Sequence, residues 1–529
     1  MVARTSATIW HGDLPDGTES AWPWAGGLTD ARWSCPGFES GAELSESRGQ
    51  VRRIAYGSAA RLVGRTLGAA ISLLALRDAT RYFGPVQWGP ITVALAWFSL
   101  FAVLGGLGIA TLAMREVARP GADVGSAFGR ALTTTAVVSI FGAILAAAVG
   151  TGLYWGKPET LAMVLILAPG IPMMALFVTI GSVLAGRGRS DARAVLDLAS
   201  SVFLLVATLL VVDHHLHLRG FALAYLGYLF VSCISALLLA VRFVRPRFRG
   251  ARKDLRRQIR AAAPLGQCDI LSAAYARADS LMIFFIRGDR AVALYGLAYQ
   301  IASFLFVVPS FLSNALLPDF MVGDDDRRRF LARRGFDVIL TVALPLPLFG
   351  ALFARPFVIW ISGERFAGAG TLLAILVGAA AIALLNGYLF QMAVFSGAER
   401  GLWRTAAVGT VSNIAANAIA VTLWGATGAA YVMILSETIG LVMYWRIYRT
   451  RMPSPLGRRY PLSVIAASLG LVATWWMLHA GLGLEPGKGL AAVPRAVGLA
   501  ALYAVFVWSI ASSARLVSRR KNHAASPGT

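Results

Sequence analysis

The stretch "SAARLVGRTLGAAISLLALR", Ser58 to Arg77, has the length of helix that crosses a bilayer core, roughly 20 residues. It also carries Arg61 and Arg65, four residues apart, and two cations in lipid need a reason. The rest of the chain decides whether there is a membrane at all. Of its 529 residues 57% are hydrophobic and only 14% charged, with mean hydropathy +0.65, far more apolar than a soluble domain. The chain reads as an all-α polytopic membrane protein.

Outward from the opening stretch, apolar runs of spanning length follow one another with short polar breaks: 57–76, 88–111, 128–152, 161–185, 194–212, 220–241, 262–286, 291–317, 335–354, 368–390, 403–424, 426–445, 461–480 and 496–514. The expectation is about fourteen transmembrane helices. Residues 1–50 hold Gly, Ser, Pro and acids around tryptophans and no apolar run, and read as a disordered cytoplasmic tail. They lack the basic start and apolar core of a signal peptide.

The net charge of +22 and pI near 10.8 would suggest nucleic acid in a soluble chain, but the placement of the charges excludes it. With the N-terminus inside, inner segments, counted with Arg130 and Arg404 at the inner ends of their helices, hold 36 of the 49 Lys and Arg residues and outer loops 10, the bias expected of cytoplasmic loops. The other three are Arg61, Arg65 and Arg277, within helices. Both termini are therefore expected in the cytoplasm. The densest run, "RFVRPRFRGARKDLRRQIR" (Arg242 to Arg260), reads as an anchor on anionic headgroups.

An internal repeat gives the organisation. "VQWGPITVALAWFSLF" from Val86 answers "ALYGLAYQIASFLFVV" from Ala293, 207 residues on. "AGRGRSDARAVLDLASS" from Ala185 answers "SGAERGLWRTAAVGTVS" from Ser396, and "GFALAY" from Gly220 answers "GAAY" from Gly428. An even number of helices separates matching positions, so the halves insert in the same orientation, as a parallel pseudo-twofold repeat. The expected division is an N-lobe of six helices at 51–241, a basic linker at 242–260, a C-lobe of six helices at 261–446, two extra C-terminal helices within 447–514, and a basic tail at 515–529.

Three stretches carry a family resemblance: "GGLGIATLAMREVAR", "ADSLMIFFIRGDRAVALYGLAYQI" and "RPFVIWISGERFAGAGTLLAIL". In their order the chain resembles the O-antigen type of polysaccharide-export flippase, in the superfamily that also holds multidrug and toxic compound extruders and the lipid II flippase. The resemblance covers about residues 51 to 450. It implies two six-helix lobes around a central cavity, alternating access, and export of undecaprenyl-pyrophosphate-linked oligosaccharide across the bacterial cytoplasmic membrane. Membrane lipids, a polysaccharide polymerase and export machinery are the implied partners.

Against that expectation the two arginines gain a use. Gly57, Arg61, Gly64, Arg65, Gly68 and Ser72 share one helix face, and Leu62, Val63, Leu67, Ile71 and Leu74 the other. A small-polar face wants a partner helix or a water-filled cavity. Arginine favours the cavity, because its fork binds phosphate bidentately and stays charged; snorkelling and a structural ion pair remain the alternatives. In the matching helix of the second half, Arg277 and Asp279 sit two residues apart, about 200° of rotation, so only one of them faces a cavity squarely. Arg277 is the expected cavity cation and Asp279 its orienting or coupling partner, a buried ion pair between helices being the alternative.

Glu437, midway along an apolar span, is the second coupling candidate, with a hydrogen bond to Asn413 or Asn417 as the quieter explanation. No cofactor is expected beyond an H+ or Na+ gradient, since the chain has no phosphate-binding loop for ATP. "DHHLH" (Asp213 to His217) lies in a short outer loop without a second cluster and does not read as a metal site. Cys35, Cys233 and Cys268 have no paired spacing and imply no disulfide framework. A lipid II flippase remains the nearest competing reading. A cationic-drug extruder would need cavity carboxylates where helix 1 has cations, and a membrane glycosyltransferase would need a large catalytic outer loop.

Overall fold

In the computed structural model no strand occurs among the described residues, which are 41–119, 121–248, 254–309, 312–313, 316, 325–395 and 402–449; in the first helix, side chains are described at Gly64 and from Leu67 onward. The chain divides into two units, Met1–Ile54 and Ala55–Thr529, and the second contains the features that follow.

The helices in chain order are α1 (Gly41–Gly106), α2 (Ile109–Ala118), α3 (Val124–Tyr154), α4 (Pro158–Leu167), α5 (Gly170–Gly186), α6 (Ser190–Asp213) and α7 (Leu218–Phe243), then α8 (Leu255–Arg287), α9 (Asp289–Ser303), α10 (Asp325–Ala343), α11 (Leu346–Ser362), α12 (Ala369–Phe395) and α13 (Leu402–Arg449). Two of them are double. α1 breaks at Gly84 (φ 70) and α13 at Gly425 (φ 62), conformations that cost a residue with a Cβ dearly. At Gly84 the following Pro85 adds a second reason, since it lacks an N–H and disfavours the helical conformation of its predecessor. α4 and α5 are bent by 41° at the break between them and only together are long and apolar enough to cross a membrane. Helical segments thus occupy eleven of the twelve expected spans from 57–76 to 426–445 and the described residues of the other, 291–317. The last two expected spans, 461–480 and 496–514, and the tails 1–40 and 515–529 lie outside the described residues.

Two helix ends differ from the expected ones. Arg77 and Asp78 do not stop the first helix; it continues to Phe83 and ends only at the Gly84–Pro85 break. Measured back from Gly84 at 1.5 Å per residue, Arg65 lies about 28 Å away and Arg61 about 34 Å, nearer the far end of the span than a helix over 57–76 implies. The second expected span stops at Gly106 rather than at residue 111, because Leu107 (φ 39) and Gly108 (φ 71) turn the chain into α2.

The outward faces are apolar: Phe141 is 67% exposed, Leu238 69% and Val411 66%, the pattern of a bundle solvated by lipid. Trp155 and Trp424, exposed at the ends of their helices, sit where interfacial aromatics are favoured. Burial inside is divided in three. One core joins both halves of the chain at the end of the bundle that carries Gly84, Gly288, Gly363 and Gly425, with Trp88, Ile91, Phe284, Tyr295, Ile361 and Leu373 among its members. At the opposite end a second core draws only on residues 109–262, around Phe128, Ile180 and Ala236. A third draws only on residues 332–448, around Phe336, Tyr388 and Tyr448. The halves thus share their largest core at one end, the fused end, while at the other, among the described residues, only the start of α8 crosses over: Ala262 joins the second core and Gly266 lies against the Leu107 backbone.

The fused end repeats itself across the halves. Thr80 Oγ1 donates to Ser362 Oγ at 2.8 Å, and Arg81 donates to the carbonyls of Ile361 (2.9 Å) and Trp360 (2.6 Å) at the end of α11. In the matching place, Phe284 and Phe285 near the end of α8 pack on the end of α3. The Tyr154 and Phe285 rings stack at 5.5 Å, and Lys157 Nζ lies 3.9 Å from the centre of the Phe284 ring. The first helix of each half thus seats on the third helix of the other.

Candidate functional site

Below the large core that joins the halves, a space remains between them. It is a cavity of about 780 Å³ walled by both halves, within the usual size of ligand sites. Trp88 and Gly296 line it near the fused end, and Gly106, Gly108 and Asp269 toward the other. The second limb of α1 runs along it, with Thr92, Ser99 and Gly106 on the lining face. Ser72 contributes from the first limb, Tyr225 from α7, and Tyr299 and Gln300 from α9.

α8 distributes the ionisable groups. Tyr275, Arg277 and Asp279 alternate along it, so Tyr275 and Asp279 fall near one side and Arg277 on the other. Arg277 lines the cavity with its guanidinium 5.8 Å from the centre of the Tyr299 ring, close enough for a cation–π contact. No carboxylate among the described residues lies within ion-pair distance of it. Asp279 is buried and turned away from the cavity, accepting from the Ser280 backbone N–H at 2.6 Å and from the Tyr295 hydroxyl. The two residues are held apart, each by its own tyrosine.

Glu437 lies in the second limb of α13 and joins three helices. Its Oε1 accepts from the Tyr275 hydroxyl at 2.9 Å, and its Oε2 accepts from Asn386 Nδ2 at 2.7 Å. The same amide also donates to the Glu437 carbonyl at 2.8 Å. The expected partners Asn413 and Asn417 are engaged elsewhere: Asn413 Nδ2 donates to Ser436 Oγ at 2.9 Å and Asn417 Nδ2 to Asn413 Oδ1 at 3.0 Å. They share a helix face that meets Ser436, one residue and 100° short of Glu437.

Arg61 and Arg65 lie outside the residues whose side chains are described. Their helix positions can still be placed. A Cβ at Gly64 would lie 3.5 Å from Ala194 Cβ, and one at Gly68 would lie 3.0 Å from Ser201 Oγ, so the glycines of the small-polar face serve close packing against α6. Ser72, on the same face, lines the cavity, and positions 61 and 65 fall within about 20° of it around the helix axis.

Sequence reasoning passed over Asp269, Tyr225 and Tyr299. The signal for Asp269 was present: with Ser272, Ala273, Arg277 and Ser280 it forms a polar and small stripe on α8, and all five line the cavity. Among the described residues no group of three or more His, Cys, Asp or Glu side chains gathers as a metal ion would require. In the "DHHLH" loop, the His215 ring stacks on Tyr82 at 6.4 Å.

Comparison with known proteins agrees with this architecture. The family model described as "Polysaccharide biosynthesis protein" matches residues 55–321, about half the chain. A curated relative, the "Probable flippase AglR" of Haloferax volcanii, is 24% identical over 201 residues, which are 36% of this chain and 41% of that protein. The chain thus spans about two-fifths of the relative's length. Among solved structures, the lipid II flippase MurJ in an inward closed conformation superposes with a TM-score of 0.72 at 12% identity, covering 86% of this chain and 99% of that one. An inward-facing multidrug resistance transporter of the MATE family, in the MOP superfamily, gives 0.60 at 14% identity over 74% and 98%. At such identities the likeness is one of fold.

Proposed function

Because this chain belongs to the polysaccharide biosynthesis protein family, we propose that it is a flippase for undecaprenyl-pyrophosphate-linked oligosaccharide, moving it from the inner to the outer leaflet of a bacterial cytoplasmic membrane. The observation that carries this reading is Arg277: a guanidinium on the wall of a cavity of about 780 Å³ between the halves, with no carboxylate paired to it among the described residues. An unpaired cation at membrane depth is costly unless the site expects an anion, and a guanidinium matches a pyrophosphate in charge and geometry.

In this reading the six-helix lobes rock about their shared core, and the fused end, which the charge bias assigns to the outer face, opens in the alternate state. Arg65 and Arg61 gather the pyrophosphate at the inner mouth, Arg277 holds it within, and the polyprenyl tail stays in lipid. The substrate changes leaflet without covalent change, so the chain is a transporter and not an enzyme. A proton or sodium gradient biases the two states through Glu437 or Asp279. The product then serves a polymerase and export machinery for lipopolysaccharide, capsule or exopolysaccharide.

The test is a flipping assay in vesicles holding the purified chain and a fluorescent polyprenyl-pyrophosphate oligosaccharide, with fluorescent lipid II as the competing substrate. Faster transbilayer movement of the oligosaccharide than in protein-free vesicles is expected. Equal rates with and without the protein, or acceleration of lipid II alone, would overturn the assignment.

A further inference from the structure

Below Arg277 on the same wall of the cavity stands Asp269. It is exposed to the space, and no hydrogen bond or ion pair engages it among the described residues. The two residues are eight apart on α8, about 12 Å along the axis, too far for an ion pair with each other. A lone carboxylate in a cavity at membrane depth carries a cost that only water or a ligand relieves.

On the flippase reading, we infer that Asp269 is a specificity-determining residue, accepting hydrogen bonds from hydroxyl or ammonium groups of the glycan and rejecting glycans that carry a carboxylate there. The cavity is bipolar along α8. Arg277, near the fused end, attracts the pyrophosphate, and the saccharide attached to it extends along the wall toward Asp269. Between them stand Ser272 and Ala273 on α8, and across the space Ser99, Tyr225 and Tyr299. Such a surface suits sugars, which present an apolar ring face and a polar rim. A carboxylate accepts from paired sugar hydroxyls, and more strongly from an amino sugar's ammonium. The same charge repels a uronate, a built-in element against the wrong substrate. The substrate class is thus a polyprenyl-pyrophosphate glycan whose sugars nearest the lipid are neutral or amino-bearing.

The test uses the full chain in vesicles and two probes identical in lipid and pyrophosphate, one with a neutral disaccharide and one with a uronic acid in the second position. The parent should move the neutral probe about tenfold faster or more, the factor that about 1.4 kcal/mol of like-charge repulsion supplies. Asp269→Asn should shrink the ratio to within about threefold, mainly by raising transport of the acidic probe. Asp269→Glu should keep the preference, and Arg277→Ala should slow both probes alike. An unchanged ratio in Asp269→Asn, with the neutral probe still transported, would overturn the role of Asp269 and leave the flippase reading standing. Failure of the parent to move either probe would overturn both.

Discussion

Gly89 and Gly296, 207 residues apart and at matching positions of the repeat, interlock the halves at the fused end. A Cβ at Gly89 would lie 2.7 Å from the Asp289 Cα, and one at Gly296 would overlap the Thr92 side chain. Each glycine makes room for the other half's helix at the fused end. The repeat seen in the sequence is thus also a packing device, and the same residues mark the seam that must part if the cavity is to open there.

A side chain at either glycine should weaken that closure. Overpacking a tight contact costs typically 1–3 kcal/mol, enough to shift a two-state population by about five- to a hundredfold. With cysteines replacing Thr80 and Ser362, whose hydroxyls are 2.8 Å apart, the parent should cross-link readily. Adding Gly89→Val or Gly296→Val should lower the yield several-fold. An undiminished yield in both would mean that this seam does not set the closed state.

Arg277 supplies the charge on which the functional reading rests. A charge-assisted contact to an anion is worth roughly 1.5 to 3 kcal/mol, so Arg277→Ala should weaken headgroup capture by about one to two decades. Arg277→Lys should restore part of it, keeping charge but losing the fork. Binding of the pyrophosphate lipid to purified protein, with protein amount measured alongside, reads both. Equal affinity of parent and Ala variant would remove Arg277 from the site.

The all-helical class and the order of spans were legible because a bilayer demands apolar runs of fixed length. The helix ends were less so. Arg77 and Asp78 looked like a stop, but they belong to a helix that ends only at Gly84–Pro85, and the apolar run through Leu107 hid a break that two backbone conformations set. The separation of Arg277 from Asp279 followed from helix geometry alone. The partner of Glu437 did not, because Asn386 comes from a helix 51 residues away in sequence and only tertiary packing joins them. Asp269 was legible as a member of the polar and small stripe that it forms with Ser272, Arg277 and Ser280 on α8, but only tertiary packing sets the cavity in front of that stripe.

Glu437 receives two side-chain hydrogen bonds, from Tyr275 and Asn386, and replacing it by Gln turns one acceptor oxygen into a donor facing a donor. If it is a coupling group, Glu437→Gln should blunt the acceleration of flipping by an imposed proton or sodium gradient while leaving exchange without a gradient. The double variant Asp279→Asn/Glu437→Gln should abolish the response. A double variant as responsive as the parent would put coupling at neither residue.

The topology follows from the charge bias of 36 against 10 Lys and Arg residues. Reporter fusions after Arg219 and after Arg257 should score outside and inside respectively. The opposite result at either position would invert the assignment of the fused end and, with it, the direction in which the cavity is entered.

Arg65 belongs to the stretch Ser58 to Arg77. It shares a stripe with Ser72, which lines the cavity, and it lies about 28 Å from Gly84, close to the full thickness of a hydrocarbon core. On the flippase reading, that depth would let its charge meet the pyrophosphate as it leaves the inner leaflet, before Arg277 takes hold. Arg65→Ala should abolish polysaccharide export without lowering the amount of protein in the membrane, and Arg65→Lys should retain part of the function because it keeps charge but loses bidentate geometry. Arg61→Ala should do less, since position 61 lies a further turn toward the interface, where a long cationic side chain reaches water more readily. Normal export by Arg65→Ala, or failure of both Arg65 variants only because the protein disappears, would make these residues snorkelling anchors and leave Arg277 as the cavity's cation.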